Sequence, residues 1–323
     1  MLRTARFGAL AATALFAAVC AMPAAAQQKS VAVLSIVEHP ALDSVRDGVN
    51  EALKEAGFEQ GKNLRWQFQS AQGNVATAAQ IARKFVGDRP DAIVAIATPA
   101  AQSVVAATRD VPLVYSAVTD PIAAQLVKGW EPSGTNVTGV SDELSLDKQI
   151  ELIKQILPNA KRVGMVYNPG EANSAVVVER MKEALPKHGM TLVEAAAPRT
   201  VDVGAAAGRL VGKVDVIYTS TDNNVVSAYE ALVKVGNDTK TPLIAADTDS
   251  VKRGAIAALG LNYHDIGRQT GKIVVRILNG EQPGAIASER SENLDLFVNL
   301  QAAKRQGVEV PEAVVSSAAE VIR

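Results

Sequence analysis

Short clusters of polar residues and turn formers follow five apolar segments of this sequence, and their residue types could do chemistry. Their hydroxyl, amide and carboxylate groups can hold a small charged molecule by hydrogen bonds. The same residue types also cap helices, so each cluster by itself has a purely structural alternative. The clusters are residues 98–101, 119–121, 168–174, 220–224 and 247–250.

The sequence contains no recognisable catalytic motif. No glycine-rich loop of the dinucleotide or Walker type follows the first strand, and no Gly-x-Ser-x-Gly elbow occurs. His39, His188 and His264 lie far apart and lack metal-ligand spacing. Asp247 and Asp249 leave a paired-carboxylate hydrolase as a minor alternative, but we expect them to cap the next helix. We therefore predict a binding protein that is not an enzyme and needs no cofactor.

The N-terminal segment has the layout of a secretory signal peptide. Arg3 and Arg6 precede an uncharged apolar stretch, and small residues lead to Ala26, after which we place the cleavage. The stretch is shorter than the roughly 20 apolar residues that span a bilayer comfortably. An uncleaved anchor and lipid attachment at Cys20 are the alternatives. We predict a signal peptide over residues 1–26 and a periplasmic location.

Composition excludes several other classes of function. The only cysteine lies in the predicted signal peptide, so the mature chain would have no disulfide and no cysteine metal site. The formal net charge is −1, and no basic run suggests nucleic acid or an anionic membrane surface as a partner. A chain of 323 residues is long enough for two domains with separate cores.

Continuous apolar runs alternate with segments of helical periodicity in both halves of the chain. Residues 31–37, 92–97 and 111–118 are such runs in the first half, the last interrupted near its start by Pro112. In the second half, residues 162–167 and 215–219 are predicted strands, and residues 225–235 a predicted helix. Buried strands between amphipathic helices indicate parallel sheets covered on both faces. We predict an α/β fold with two doubly wound parallel-sheet lobes joined by hinge crossings.

The chain is expected to cross between the lobes more than once. The turn-rich residues 131–141 are the predicted first crossing, and a helix over residues 265–278 is predicted to return the chain to lobe one. Ligands of open parallel sheets bind beyond the carboxyl ends of the strands, so the polar clusters should rim one cleft. We assign residues 27–140 and about 264–290 to lobe one, and residues 141–263 and about 291–323 to lobe two.

The aromatic residues give little guidance on the ligand, because they make up only 4% of the chain. Tyr115 and Tyr218 fall inside apolar runs and are expected in the core. Tyr167 and Tyr263 lie nearer to strand ends and could touch a ligand. His39, before a proline, is expected to be a turn or wall residue. An aromatic cage is therefore not assured by composition.

Seven short motifs follow one another along nearly the whole mature chain. They are residues 38–43 (EHPALD), 97–102 (ATPAAQ), 118–121 (VTDP), 136–141 (NVTGVS), 171–174 (EANS), 221–223 (TDN) and 298–304 (VNLQAAK). No single motif is diagnostic, but the ordered set resembles the tryptophan/tyrosine-type substrate-binding proteins of ABC transporters.

The resemblance implies a type I periplasmic-binding-protein fold that closes on its ligand by hinge bending. It also implies delivery of the ligand to a membrane permease driven by an ATPase. We expect the protein to be a monomer. Some family members bind aromatic amino acids, so we expect a small zwitterionic ligand, foremost an amino acid. A sugar or nucleoside ligand, and a role as the ligand-binding sensor of a membrane kinase, are the alternatives. A transcription regulator of the same fold is not expected, because it would carry a helix-turn-helix and no signal peptide, and this sequence has the reverse.

Carried onto this sequence, the resemblance implies ligand contacts from strand ends in both lobes. The N–H groups of Thr98, Ala100 and Ala101, with the Thr98 hydroxyl, are candidates for holding a carboxylate. Asp120 is the first candidate for an ammonium group, and Asp247 is the second. The other candidate binding residues are Glu38, Asn173, Ser174, Thr221, Asp222 and Asn223.

Overall fold

A computed structural model describes residues 28–291 and 293–323 of the chain. The predicted signal peptide, residues 1–26, and its cleavage site lie outside the described residues. Within the described part, no helix is both long enough and apolar enough to cross a membrane.

The strands form two separate sheets, labelled here in chain order. The first sheet has six parallel strands in the order β11-β5-β4-β3-β1-β2. Its central strands β3 and β4 are completely buried, as their continuous apolar sequences predict. The strands are β1 (Lys29–Ser35), β2 (Leu64–Ser70), β3 (Ala92–Ile96), β4 (Leu113–Val118), β5 (Val137–Ser141) and β11 (Glu289–Arg290).

The second sheet has seven strands in the order β13-β12-β10-β9-β8-β6-β7. All neighbours in it pair in parallel except β10 and β12, which are antiparallel. The strands are β6 (Arg162–Tyr167), β7 (Thr191–Ala196), β8 (Val216–Thr219), β9 (Leu243–Asp247), β10 (Ala257–Leu261), β12 (Leu294–Asn299) and β13 (Glu320–Ile322).

Helices cover both sheets, and the apolar residues form one core around the first sheet and two clusters around the second. The predicted α/β class with two doubly wound parallel-sheet lobes is therefore confirmed. The exact lobe boundaries stay a prediction. The helices are α1 (Pro40–Glu55), α2 (Val75–Asp88), α3 (Thr98–Ala107), α4 (Leu146–Ile156), α5 (Ala172–Ala184), α6 (Val203–Leu210), α7 (Asn223–Ser227), α8 (Tyr229–Thr239), α9 (Thr248–Arg253), α10 (Tyr263–Leu278), α11 (Leu300–Gln306) and α12 (Glu312–Ser317).

Two local expectations need correction. The predicted crossing over residues 131–141 ends in the buried strand β5, which pairs with β4, so the chain leaves the first sheet only after Ser141. The helix predicted from Val225 to Val235 is two helices that break at Ala228. The break places the Tyr229 ring in the core, with its hydroxyl 3.3 Å from the Thr219 hydroxyl.

Helix α10 packs closely against α1 and so belongs with the first sheet. Glycines on both helices make this approach possible. A Cβ atom at Gly48 of α1 would clash with the carbonyl oxygen of His264. One at Gly267 of α10 would clash with the carbonyl oxygen of Val45. The close contact fixes Tyr263, the first residue of α10, at the carboxyl end of the first sheet.

Candidate ligand-binding site

A cavity lies between the carboxyl ends of the two sheets. It draws on residues that follow strands of both lobes and on the segment that connects them, as expected for open parallel sheets. The lining residues are His39, Ala41, Leu42, Ala97, Thr98, Ala117, Thr119, Asp142, Asn173, Thr221, Asn223, Val226, Asp247 and Tyr263.

The lobe-one wall is formed by strained backbone and the start of α3. Ala97 has φ 74° and ψ 157°, a conformation that is normally restricted to glycine, and Ala117 has φ 52°. Such strain clusters at ligand-binding sites. In the described structure α3 has no side-chain cap, and the buried Thr98 Oγ1 has no hydrogen-bond partner. This wall therefore offers hydrogen-bond donors to an anion.

The first turn of α3 decides which of its N–H groups are available. The N–H of Ala101 donates to the carbonyl oxygen of Ala97 over 3.1 Å, so it is not available to a ligand. Helix geometry leaves the earlier N–H groups, those of Thr98 and Ala100, without an intrahelical acceptor. The Ala100 side chain is buried behind the wall and does not line the cavity.

Asp142, in the connection between β5 and α4, supplies a buried acceptor to the cavity lining. The Tyr263 hydroxyl donates to Asp142 Oδ2 over 2.7 Å. The other oxygen, Oδ1, is buried and has no partner in the described part of the chain. Burial raises the pKa of Asp142 above its usual value, although the hydrogen bond from Tyr263 opposes the shift. A cationic group reaching Oδ1 would satisfy this oxygen and favour the ionised form.

Asp247 also lines the cavity, but both of its oxygens are already engaged. Oδ1 accepts the N–H of Ser250 at 2.8 Å, and Oδ2 accepts the Ser250 hydroxyl at 2.6 Å. The residue therefore caps α9, as the structural alternative predicted. Burial raises the pKa of Asp247, and the hydrogen bonds from Ser250 oppose that shift. Asp142, by contrast, offers an oxygen that still lacks a donor in the described structure.

Three polar side chains of lobe two face the cavity, and two predicted ones stand behind them. Asn173, Thr221 and Asn223 line it. The Ser174 hydroxyl instead donates to Asp222 Oδ2 at 2.6 Å. Asp222 is completely buried and caps α7 by accepting the N–H of Val225 at 3.0 Å. Ser174 and Asp222 therefore support the wall and do not line it.

Two further predicted contacts are not brought into the cavity. Asp120 accepts the N–H groups of Ile122 at 3.0 Å and Ala123 at 2.8 Å, and it pairs with Arg180 of lobe two. Its carboxylate is thus fully engaged away from the cavity lining. Glu38 is exposed and accepts the Gln72 side-chain amide at 2.8 Å. Its neighbour His39 takes the wall position, as expected for that residue.

The cavity is lined by acidic side chains but by no lysine or arginine among the described residues. The acidic residues are Asp142 and Asp247. Burial lowers the pKa of His39 to about 3, so its ring is neutral near pH 7. His39 Nδ1 accepts the N–H of Leu42 at 3.4 Å, which places the ring proton on Nε2. The side of the cavity that is formed by Asp142 and by lobe two is therefore suited to a cation.

A second cavity adjoins the first and shares Thr119, Asp142 and Thr221 with it. Its other walls are mainly apolar. Tyr218 lines it from the core, and Arg180 lies at its edge. The remaining lining residues are Glu143, Leu144, Leu146, Val177, Ser220 and Ala246. Together the two cavities combine a charged region with an apolar one.

Comparison with known proteins identifies the family. A family model described as ABC transporter substrate binding protein matches residues 30–322. The chain belongs to this family. The family predicted from the motifs is thus confirmed, and its members are solute-binding proteins, not enzymes.

Similar proteins of known sequence or structure agree with this assignment. A tyrosine-binding protein of Clostridioides difficile (strain R20291) is 40% identical over 273 residues, which cover 84% of this chain and 79% of that protein. An ABC domain in complex with L-Trp from Streptococcus pneumonia is 34% identical, with a TM-score of 0.88, over 92% of this chain and 100% of that one. A ligand-free, open substrate-binding protein from Clostridium difficile is 41% identical, with a TM-score of 0.69, over 91% and 99%.

The arrangement of the two lobes in this substrate-binding protein is more similar to that of the L-Trp complex than to that of the ligand-free, open structure. Its TM-score is higher with the L-Trp complex, 0.88, than with the ligand-free, open structure, 0.69, although the open one is more similar in sequence. Contacts between the lobes agree. Arg180 pairs with Asp120, its Nη1 lies 2.7 Å from Glu143 Oε1, and the hydroxyls of Thr119 and Thr221 are 3.5 Å apart. The walls described above therefore face each other across the cavity.

Sequence reasoning missed Asp142, the residue with the clearest ligand-binding chemistry. Asp142 directly follows the motif over residues 136–141, and that position was the available signal. It also missed Thr119 as a lining residue, although Thr119 begins one of the five polar clusters. Tyr263, expected to be able to touch a ligand, does line the cavity.

Proposed function

We propose that this substrate-binding protein binds an amino acid between its lobes and delivers it to the membrane permease of an ABC importer. The observation that carries the proposal is the pairing of opposite chemistries across one cavity. Thr98 Oγ1 and the start of α3 offer donors on one side, and Asp142 Oδ1 offers an acceptor on the other. A zwitterion has a matching group for each side.

The ligand carboxylate would lie at the start of α3. The N–H groups of the first turn and the helix dipole favour an anion there, and the Thr98 hydroxyl adds a further donor. The ammonium group would meet Asp142 Oδ1, with the Asp247 carboxyl group nearby. We transfer the ammonium contact predicted for Asp120 to Asp142, because the Asp120 carboxylate is engaged by Arg180 and two N–H groups.

An aromatic side chain is supported by the second cavity and by the relatives. The second cavity is lined by Leu144, Leu146, Val177 and Tyr218, which suit an apolar group. One relative is described as a tyrosine-binding protein, and one similar structure holds L-Trp. We therefore propose an aromatic amino acid as the preferred ligand.

The proposed role also implies a location for the protein. Substrate-binding proteins of ABC transporters act outside the cytoplasm. A cleavable signal peptide over residues 1–26 would deliver the chain to the periplasm, where it would act as a monomer.

The test is a ligand panel on the purified mature protein. L-Tryptophan and L-tyrosine should raise the melting temperature by several degrees at about 100 times Kd, since binding then stabilises the folded state by about 2.7 kcal/mol. Indole-3-propionate, which lacks the ammonium group, and tryptophanamide, which lacks the carboxylate, should give much smaller shifts. If sugars or nucleosides stabilise the protein and amino acids do not, the ligand class is wrong and the fold assignment stands.

A further inference from the structure

Glu171 stands behind the lobe-two wall and faces two of the asparagines that line the cavity. It immediately precedes α5 without capping it through its side chain, is buried, and lines neither cavity. Glu171 Oε2 accepts the side-chain amide of Asn223 at 2.6 Å and that of Asn173 at 3.2 Å. It also accepts the backbone N–H of Asn223 at 3.3 Å. The carboxylate thus holds both asparagines from the side away from the ligand space.

This contact decides which end of each amide faces the cavity. An asparagine amide keeps its shape when it rotates by half a turn, so its hydrogen-bond partners set the direction of its NH₂ and C=O groups. An ionised carboxylate only accepts, and it therefore draws the NH₂ groups of Asn173 and Asn223 toward Glu171. Asn173 Oδ1 is left buried in the cavity wall with no partner among residues 28–291 and 293–323.

The two amides depend on Glu171 to different degrees. The NH₂ group of Asn173 also lies 3.3 Å from Ser174 Oγ and 3.4 Å from the carbonyl oxygen of Thr221. Glu171 is the only acceptor that the described structure gives to the Asn223 amide. The orientation of Asn223 should therefore respond most strongly to a change at position 171.

We propose that Glu171 is a positioning residue that turns the carbonyl oxygens of Asn173 and Asn223 toward the ligand and so makes this wall selective for an ammonium group. The inference rests on the proposed amino-acid function. A reversed amide would present donors beside the ammonium group, and like polarity would oppose binding.

The protonation state of Glu171 supports this arrangement. Burial, together with the nearby Asp222 carboxylate, raises the pKa of Glu171 to about 7. Asp222 is the ionisable group that faces it, and burial raises the pKa of Asp222 as well. The other neighbours of Glu171 are the neutral amides of Asn168, Asn173 and Asn223. As the pH rises through about 7, Glu171 ionises and becomes a pure acceptor. Affinity for a cationic group should therefore rise with pH and then level off.

The test compares two substitutions at one position. Glu171→Met keeps the approximate size but removes the acceptor, and Glu171→Gln keeps one acceptor oxygen while removing the charge. The readout is the ratio of affinities for L-tryptophan and for indole-3-propionate, which lacks the ammonium group, measured by calorimetry at pH 8. We expect Glu171→Met to lower this ratio at least tenfold and Glu171→Gln, which resembles protonated Glu171, to lower it by an intermediate amount of about threefold. Glu179→Met, at an exposed position of the same helix, is the control and should change nothing.

A purely structural role predicts a different pattern. Both ligands would then weaken together in Glu171→Met, and the ratio would stay constant, which would overturn the proposal. The pH profile adds a second criterion: L-tryptophan affinity should rise through about pH 7 in the wild type and stay flat in Glu171→Gln. A rise of equal size in that variant would assign the titration to another group and would also count against the proposal.

A measurement without ligand separates this inference from the proposed function. In the wild type, the side-chain NH₂ signals of Asn173 and Asn223 in ¹H–¹⁵N spectra should shift together around pH 7, and they should not shift in Glu171→Gln. Asn173→Asp and Asn223→Asp assign the signals by their loss. If the wild type binds no amino acid but the signals titrate, the ligand proposal fails and Glu171 still positions the amides. If neither signal titrates, the proposal for Glu171 is wrong, even where Glu171→Met does not fold.

Discussion

The two walls of the cavity are built from the same unit, a parallel strand followed by a helix, yet they offer opposite chemistry. On lobe one, α3 begins without a side-chain cap in the described structure, after a residue in a strained conformation. On lobe two, Asp222 caps α7 and Asp247 caps α9, although α5 begins without a side-chain cap. An uncapped helix start leaves N–H donors for a ligand, and a capped one uses them internally.

The difference shows how one architecture can recognise both ends of a zwitterion. The capped starts on lobe two consume backbone donors and leave carboxylate and amide oxygens around the cavity. Each wall alone would attract one charge, and only closure of the lobes brings both within reach of a small molecule. Ligand binding and closure should therefore be coupled, because a ligand that bridges both walls stabilises the closed state.

The largest effect on ligand affinity is expected when Asp142, in the connection between β5 and α4, loses its charge. Asp142→Asn keeps the shape and can still accept from Tyr263, but it cannot form a charge-assisted bond with an ammonium group. Bonds to charged groups contribute about 1.5–3 kcal/mol, so L-tryptophan affinity should fall about 100-fold by calorimetry. Asp120→Asn is the matched comparison and should cost less than about tenfold. A larger loss in Asp120→Asn would restore the site predicted from the sequence.

An intermediate effect is expected on the donor wall. Thr98→Val removes the hydroxyl while keeping the side-chain shape, and a hydrogen bond of this kind contributes about 1 kcal/mol, or about fivefold in Kd. The loss should be seen with L-tryptophan and be smaller with tryptophanamide, which has no carboxylate. Ser103→Ala removes a hydroxyl of the same helix that donates to the carbonyl oxygen of Pro99, and it should leave the affinity unchanged. Equal losses for both ligands would argue against a carboxylate at this wall.

The smallest effect is expected on the free energy of unfolding, when the backbone strain at Ala97 of lobe one is relieved. Ala97→Gly should raise the free energy of unfolding by about 1 kcal/mol, because glycine adopts this backbone conformation without steric cost. Ala101→Gly, one turn into the same helix, should lower it by about 1 kcal/mol, since glycine destabilises a regular helix. Urea unfolding of the two variants measures both changes. Destabilisation by both substitutions would mean that Ala97 is not strained.

The sequence could predict the fold because the signal is local. The run at β3 is apolar at every position and that at β4 at every position but Ser116, and buried parallel strands favour that pattern. The motifs also carried enough information to identify the family. The first crossing was misplaced because β5 lies among turn formers in the sequence, and only its pairing with β4 makes it a strand.

The candidate site was predicted only in part, and Asp222 and Asn223 illustrate the reason. Both follow β8 and look equally suited to a ligand. Asp222 points back to Ser174 and to the N–H of Val225, while Asn223 lines the cavity. A polar residue at a strand end has the same sequence signature whether it caps its own helix or faces a ligand. Which role it plays depends on neighbours from other segments.

The sequence by itself determined the class of fold, the family and the strand ends at which a ligand would be held, because these follow from periodicity and from short ordered motifs. Only the tertiary structure decided which polar atoms remain available. Asp142 and Tyr263 are separated by 121 positions, and their contact occupies one carboxylate oxygen and leaves the other without a donor. Such an imbalance arises when distant segments meet in a buried place, where water no longer satisfies the unpaired oxygen.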